Sequence, residues 1–171
     1  MGLTFDQKVQ LWNTIGTWFA GVAGAGAIIT SLYLATRVSR VSLRTHVTLG
    51  ALVSQGRPLE DLVEISVTNL GERTVTITGV GWRVGKGAGA RNAVQNFSAH
   101  MSDSLPIELP HGKQAGYRIS MQEATDWPAY FRTEFIRDAK LSTLRAVVST
   151  SVGQEFEIKP RQNVLDFIAK G

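Results

Sequence analysis

The sequence predicts an all-β domain behind an N-terminal transmembrane α-helix, and two observations carry this prediction. From Val9 to Thr36 the chain has no charged side chain. Beyond that stretch, about seven short segments rich in β-branched and aliphatic residues alternate with turn residues. Short strands at such spacing are typical of antiparallel sheets, so we expect an immunoglobulin-like β-sandwich with one inserted helix.

The uncharged stretch is long enough to cross a membrane. A helix needs about 20 apolar residues to span a hydrocarbon core of roughly 30 Å, and residues 15–34 supply them. Trp12 and Trp18 lie toward one end and Tyr33 toward the other, where aromatic rings favour the headgroup level. Two alternatives remain, a buried core helix and a cleavable signal peptide, because the small residues 23–27 resemble a cleavage site.

The flanking charges predict an orientation. Lys8 is the one Lys or Arg before the stretch, whereas Arg37, Arg40 and Arg44 follow it. Cationic flanks stay on the cytoplasmic side, so we expect a single-pass protein of the inner (cytoplasmic) membrane with its N-terminus outside and its domain in the cytoplasm. If the helix continued, the three arginines would share one face and contact anionic headgroups.

Small residues recur at every fourth position inside the predicted span. Gly and Ala at this spacing allow two helices to approach closely, which predicts packing against a second copy of the chain or another membrane protein. The residues concerned are Gly16, Ala20, Gly21, Gly24 and Ala25.

Length and composition bound the remainder of the chain. We divide it into a tail (1–8), a span (9–36), a basic juxtamembrane segment (37–45), a β-domain (46–160) and a C-terminal tail (161–171). The net charge of +4 is spread along the chain, so no nucleic-acid partner is expected. There are no cysteines, which excludes disulfides, thiolate metal sites and a Cys nucleophile.

The β-like segments have a two-residue period. Val63, Ile65 and Val67 alternate with polar residues, which predicts one buried face. Gly79 interrupts the next alternation and predicts a β-bulge. We expect strands at residues 46–54, 61–69, 75–84, 94–100, 114–121, 143–149 and 154–159, with a hairpin turn at 151–153.

One segment has a helical period instead. Residues 125–138 carry aromatic side chains at i, i+4 and i+8, and Pro128 fits the first turn of a helix. We expect this stripe to pack in the core or, alternatively, to form an exposed face on which a partner docks. Its members are Trp127, Tyr130, Phe131 and Phe135. A last helical turn is expected at 163–169.

Three segments carry a resemblance: ISVTNLGERTVTITGVGWRV, SLPIELPHGKQAGYRI and LRAVVSTSVGQEFEIKP. With the preceding span, they resemble uncharacterised small bacterial single-pass membrane proteins that carry an immunoglobulin-like β-sandwich. The resemblance covers roughly residues 61–159 and implies the architecture, with no catalytic residue to transfer. The sequence departs from that pattern at Thr74, where a Pro is usual, and in the helical segment from Gln122.

No constellation of residues indicates catalysis. His46, His100 and His111 are far apart and lack metal-ligand spacing. His100 lies near Asp103 and Ser104, but adjacency in sequence is not triad geometry. We therefore expect no enzymatic activity, no cofactor, no bound metal and no small-molecule substrate.

The glycine-rich segment 85–91 (GKGAGAR) is the one candidate for anion binding. Exposed backbone N–H groups beside Lys86 and Arg91 are suited to a phosphate or a lipid headgroup. The segment lacks the features of a P-loop or a dinucleotide fingerprint. A soluble hairpin connection is the alternative interpretation.

Together these features predict a non-enzymatic single-pass membrane protein. Its β-sandwich would mediate protein–protein interaction at the membrane surface, as an accessory subunit of a membrane complex. The alternative is a membrane effector of a bacterial anti-phage or stress system. In that case the β-domain would bind a ligand and drive the transmembrane helices to assemble.

Overall fold

The structure is a computed structural model that describes residues 4–38, 40–53, 55–56, 59–121 and 126–170. The chain divides into two compact units, Met1–Arg40 and Val41–Gly171. The first is a single helix and the second is a mostly β domain.

Helix α1 (Phe5–Val38) forms the first unit. It begins ahead of the uncharged stretch, with Asp6 in its first turn, where a carboxylate complements the helix dipole. Within the described residues, α1 is the one helix long and apolar enough to span a membrane, over Phe5–Thr36. None of its apolar window is buried, which does not favour the interpretation as a buried core helix.

The second unit contains two antiparallel sheets. The smaller has three strands in the order β1-β2-β6, formed by Leu43–Leu52, Glu60–Asn69 and Gln114–Ser120. β1 and β2 pair over their full ten residues, from Leu43 opposite Asn69 to Leu52 opposite Glu60.

The larger sheet has the order β4-β3-β7-β8. β3 (Val75–Val84) is its longest strand, and β4 and β5 pair with different halves of the same β3 edge. The other strands are β4 (Arg91–Val94), β5 (Ile107–Leu109), β7 (Arg145–Thr150) and β8 (Glu155–Ile158).

The two sheets contribute to one hydrophobic core, and the predicted alternation is confirmed. Val63, Ile65 and Val67 are fully buried from the smaller sheet, and Trp82 is buried from the larger one. The register of β3 against β7 shifts between Ile77 and Gly79, which confirms the predicted bulge. A β7–β8 hairpin closes through Gly153 at φ +76°.

Two strand predictions need correction. The strand expected at 94–100 lies earlier, as β4. Beyond Val94 the chain crosses to the other sheet, where the Ser98 N–H donates to the Arg118 carbonyl at 2.9 Å. At the N-terminal side, α1 ends at Val38 and β1 already includes Arg44, so the arginines do not share a helical face.

The helical segment is shorter than predicted. α2 (Trp127–Tyr130) passes into a π-helical turn, Phe131–Ile136, with Pro128 in the first turn as expected. Asp126 is the N-terminal cap residue but makes no side-chain capping bond. The predicted residues 122–125 lie outside the described part of the chain.

The C-terminal segment is part of the domain rather than a tail. The last helical turn predicted at 163–169 is confirmed, and it extends to a nine-residue helix, α3 (Gln162–Lys170). Its residues Val164, Leu165 and Ile168 are buried in the core. The apolar residues of this short helix therefore complete the packing of the sheets.

Candidate functional site

Helix α1 carries a stripe of small side chains along its central turns. At about 100° per residue, the predicted residues Gly16, Ala20 and Gly24 fall on one side of the helix. Gly21 and Ala25 lie further round, toward Trp18. All five small residues are exposed.

The glycines of α1 leave open space at the helix surface. Apart from the helix's own backbone, a Cβ atom added to Gly16, Gly21 or Gly24 would meet no atom within 4 Å. An open groove of about 520 Å³ lies on a different side from Ala20, where Trp18 and Val22 flank Gly21 and Ala25. The stripe of Gly16, Ala20 and Gly24 has the small side chains that let a second helix approach closely in a bilayer.

The predicted headgroup-contacting arginines do not act as one group. Arg40 lies in a bend and is exposed, and Arg44 is exposed on β1. Arg37 belongs to α1, but its side chain lies outside the described residues. Because α1 ends at Val38, helical spacing cannot align the three side chains.

The glycine-rich segment is a hairpin connection between β3 and β4. Gly85 has φ +90°, and an added Cβ would lie 3.0 Å from the Gly89 carbonyl oxygen, so only glycine fits without strain. The Gly85 N–H donates to Thr143 Oγ1 at 3.0 Å, which removes one of the backbone donors that a phosphate would need.

Arg91 is committed to structure rather than to an anion. Its guanidinium donates to the Ile136 carbonyl and forms an ion pair with Asp138 at 3.2 Å. The Asp138 carboxylate accepts a hydrogen bond from its own backbone N–H, and this bond followed by Arg91 lowers the pKa of that carboxyl. Lys86 is exposed in the same loop. The structure thus leaves one of the two predicted cations available for an anion.

The neighbouring guanidinium is also occupied. Arg83 donates to Glu155 at 2.8 Å and to Glu157, and its Nε donates to Asn92 at 2.7 Å. These bonds, Glu155 first, raise the pKa of Arg83. Both carboxylates lie on the solvent face of β8, as the alternation predicts, and their charge disfavours an anion at the adjacent loop.

The aromatic stripe is mostly core, so it is not a docking face. Trp127 and Phe131 are buried, with stacked rings at 4.7 Å between centroids, and Trp82 lies 5.4 Å from Phe131. Phe135 is half-buried and its ring lies 5.0 Å from that of Phe131. Tyr130 alone among the four predicted residues is exposed.

His111 and Asp103 have structural partners. His111 Nδ1 lies 3.0 Å from the Gly71 carbonyl oxygen, and Asp103 Oδ2 accepts the Gly116 N–H at 2.7 Å. In the part of the chain that the structure describes, no three His, Cys, Asp or Glu residues are grouped so as to hold a metal.

The structure also contains a groove that the sequence did not indicate. It has a volume of about 440 Å³ and lies where the start of β2 meets α2 and α3. Leu59, Pro128 and Phe167 supply apolar surface, with Asp61, Asp126 and Lys170 at its margin. Three segments distant in sequence build this groove, and no local motif marks any of them.

Comparison with known proteins adds two solved structures. No protein-family model and no curated protein matches the chain. A crystal structure of a Bordetella pertussis protein provisionally named ApaA is similar at 12% identity and a TM-score of 0.33, covering 71% of this chain and 89% of that one. The Northeast Structural Genomics Consortium target SoR45 is similar at 13% identity and a TM-score of 0.32, covering 70% and 83%.

Proposed function

We propose that the chain is a non-enzymatic single-pass membrane protein that acts by binding other proteins at the inner membrane. α1 spans the bilayer with the N-terminus outside, and the β-domain lies in the cytoplasm. The protein is an accessory subunit of a membrane complex, and its partner is a second copy or another membrane protein.

We further propose that the domain is an immunoglobulin-like β-sandwich. The orders β1-β2-β6 and β4-β3-β7-β8 correspond to strands A-B-E and C′-C-F-G of that fold. Trp82 is buried on β3, which takes the place of strand C, where immunoglobulin domains carry a buried Trp.

The stripe of small side chains formed by Gly16, Ala20 and Gly24 on α1 is the observation that carries the proposal. A helix that only anchors a domain needs apolar side chains of any size facing lipid. In α1 Gly16, Ala20 and Gly24 share one side, and apart from the helix's own backbone no atom lies within 4 Å of where a Cβ would stand on Gly16 or Gly24. Close packing against another helix makes use of that surface.

Single-cysteine crosslinking tests the proposal, since the native chain has no cysteine. Ala20→Cys lies on the stripe formed with Gly16 and Gly24. Val22→Cys lies about 200° around the helix at nearly the same depth. In membranes under mild oxidation, we expect a disulfide dimer from Ala20→Cys at least fivefold more abundant than from Val22→Cys.

A photo-reactive amino acid at the same two positions tests for a different membrane protein as the partner. A single protein captured stoichiometrically at residue 20 and absent at residue 22 supports a hetero-complex. Equal or absent crosslinking at both positions by both methods overturns the proposal and leaves α1 as a plain anchor.

A further inference from the structure

The topology of the domain brings three turns together beside the segment where the chain enters it. The Ser42 carbonyl accepts hydrogen bonds from the N–H groups of Leu70 at 2.8 Å and Gly71 at 3.1 Å. His111 Nδ1 lies 3.0 Å from the Gly71 carbonyl oxygen. The Ser151 N–H donates to Thr76 at the start of β3. We call the segments 41–44, 70–74, 110–113 and 151–154 the tethered end.

The tethered end is cationic and has exposed apolar side chains. Its Lys, Arg, Asp and Glu residues are three cations and one carboxylate, all of them exposed: Arg44, Arg73 and Lys113 against Glu72. Val152 is 67% exposed and Leu70 is 41% exposed, each in a turn. Cations that surround a few apolar side chains are typical of surfaces that contact anionic lipid headgroups.

The length of the connecting chain decides where this end can lie. α1 ends at Val38 and Ser42 is already hydrogen-bonded into the domain, so three residues lie between them and four Cα–Cα steps connect them. A fully extended chain of that length reaches about 14 Å at most. If α1 spans the membrane, Ser42 therefore stays within about 14 Å of the end of the helix.

We propose that the tethered end rests on the anionic headgroups of the same bilayer that α1 spans. Val152 and Leu70 insert at the headgroup level and the three cations contact lipid phosphates. This inference rests on the proposed membrane span. It also changes which residues of the domain are expected to contact headgroups. β1, β2 and β3 run in alternating directions along the domain. The loop with Lys86 follows β3, so it lies at the opposite end, about 30 Å away.

The test uses single-cysteine variants of the full chain, each labelled with a fluorophore and reconstituted in vesicles of phosphatidylcholine and phosphatidylglycerol. Val152→Cys reports on the tethered end. Val53→Cys is the matched control, an exposed valine at the far end of β1. With a nitroxide on the lipid headgroup, we expect quenching at residue 152 at least threefold stronger than at residue 53.

A third probe separates the two proposals. Val22→Cys, in the middle of α1, is quenched by a nitroxide on the acyl chain if α1 spans the bilayer. Quenching at residue 22 with equal quenching at 152 and 53 overturns the resting domain and leaves the span intact. No quenching at residue 22 overturns both.

The charge contribution has its own readout in the same vesicles. The double variant Arg73→Glu with Lys113→Glu, carried with Val152→Cys, is expected to lose at least half of the quenching at residue 152. Both side chains are exposed, so the fold should tolerate the change. Undiminished quenching in this variant overturns the role of the cations.

Discussion

Gly81 lies at the tightest approach between β3 and β4. A Cβ at this position would lie 2.2 Å from the Ala93 carbonyl oxygen, which belongs to the backbone and cannot rotate away. Gly81→Ala should therefore lower the free energy of unfolding by about 1–3 kcal/mol, as overpacking does. Urea unfolding of the full chain in detergent micelles, followed by near-ultraviolet circular dichroism, measures the change.

Gly79→Ala is the matched control for this prediction. An added Cβ there meets its nearest atom, on Ser149, at an ordinary 3.8 Å. The same glycine-to-alanine change two residues away should thus cost much less. Equal unfolding midpoints for the two variants would contradict the steric argument.

Tyr117 makes the stability of the domain depend on pH in the alkaline range. Burial, followed by the charge of Asp103, raises the pKa of Tyr117 from 10.0 to about 12. The folded state therefore holds the phenolic proton more tightly than the unfolded state. This contribution is fully present below pH 10 and is lost as the pH rises through 12, to a total of about 3 kcal/mol.

Tyr117→Phe isolates this contribution from other alkaline titrations. The Tyr117 hydroxyl is buried and, among the described residues, has no hydrogen-bond partner. The variant should thus be at least as stable as the native chain at pH 8, because an unsatisfied polar group is removed. Its stability should fall less steeply between pH 10 and 12, and parallel curves for the two proteins would count against the assignment.

At the scale of elements, local periodicity was sufficient for most strands. The alternation of Val63, Ile65 and Val67 depends only on neighbouring residues, so the buried face of β2 could be predicted. The path of the chain beyond β4 could not be predicted in this way. There Trp82 Nε1 donates to Gln95 at 3.0 Å, and the chain then leaves the sheet. That choice depends on contacts between segments that have no common local pattern.

The candidate sites show the same division. The i, i+4 spacing of Trp127 and Phe131 predicted that their side chains share one face of a helix. That face is buried because both rings pack against Trp82, which is distant in sequence. Arg91 seemed available for an anion because its partner Asp138 lies 47 residues away. Sequence spacing identifies which residues share one element. It does not identify the distant residues that contact them, such as Asp138 for Arg91 or Trp82 for Phe131.

α3 provides the element-scale prediction. Ile168 is fully buried although the segment seemed to be a tail, so Ile168→Ala should lower the free energy of unfolding by about 2–5 kcal/mol. Asp166→Ala, on the exposed side of the same helix, should cost about 0.5 kcal/mol or less. Thermal unfolding of both variants in micelles compares the two losses of stability. A small loss of stability for both variants would mean that α3 does not contribute to the core.

For the whole molecule, the charges around α1 predict which side of the membrane holds the domain. Arg40 and Arg44 follow the span and Lys8 precedes it, so the domain should stay in the cytoplasm. Because the chain has no cysteine, single cysteines at residues 4 and 94 report on the two sides. Thr4→Cys and Val94→Cys both replace exposed residues, and Val94 is 90% exposed.

In bacterial cells with a permeabilised outer membrane, a membrane-impermeant maleimide should label Thr4→Cys at once. Val94→Cys should be labelled only after the inner membrane is broken, which also proves that this cysteine is reachable. The unmodified chain gives the background. The reverse order of labelling would place the domain outside, where the cations at its tethered end would face the outer rather than the cytoplasmic leaflet.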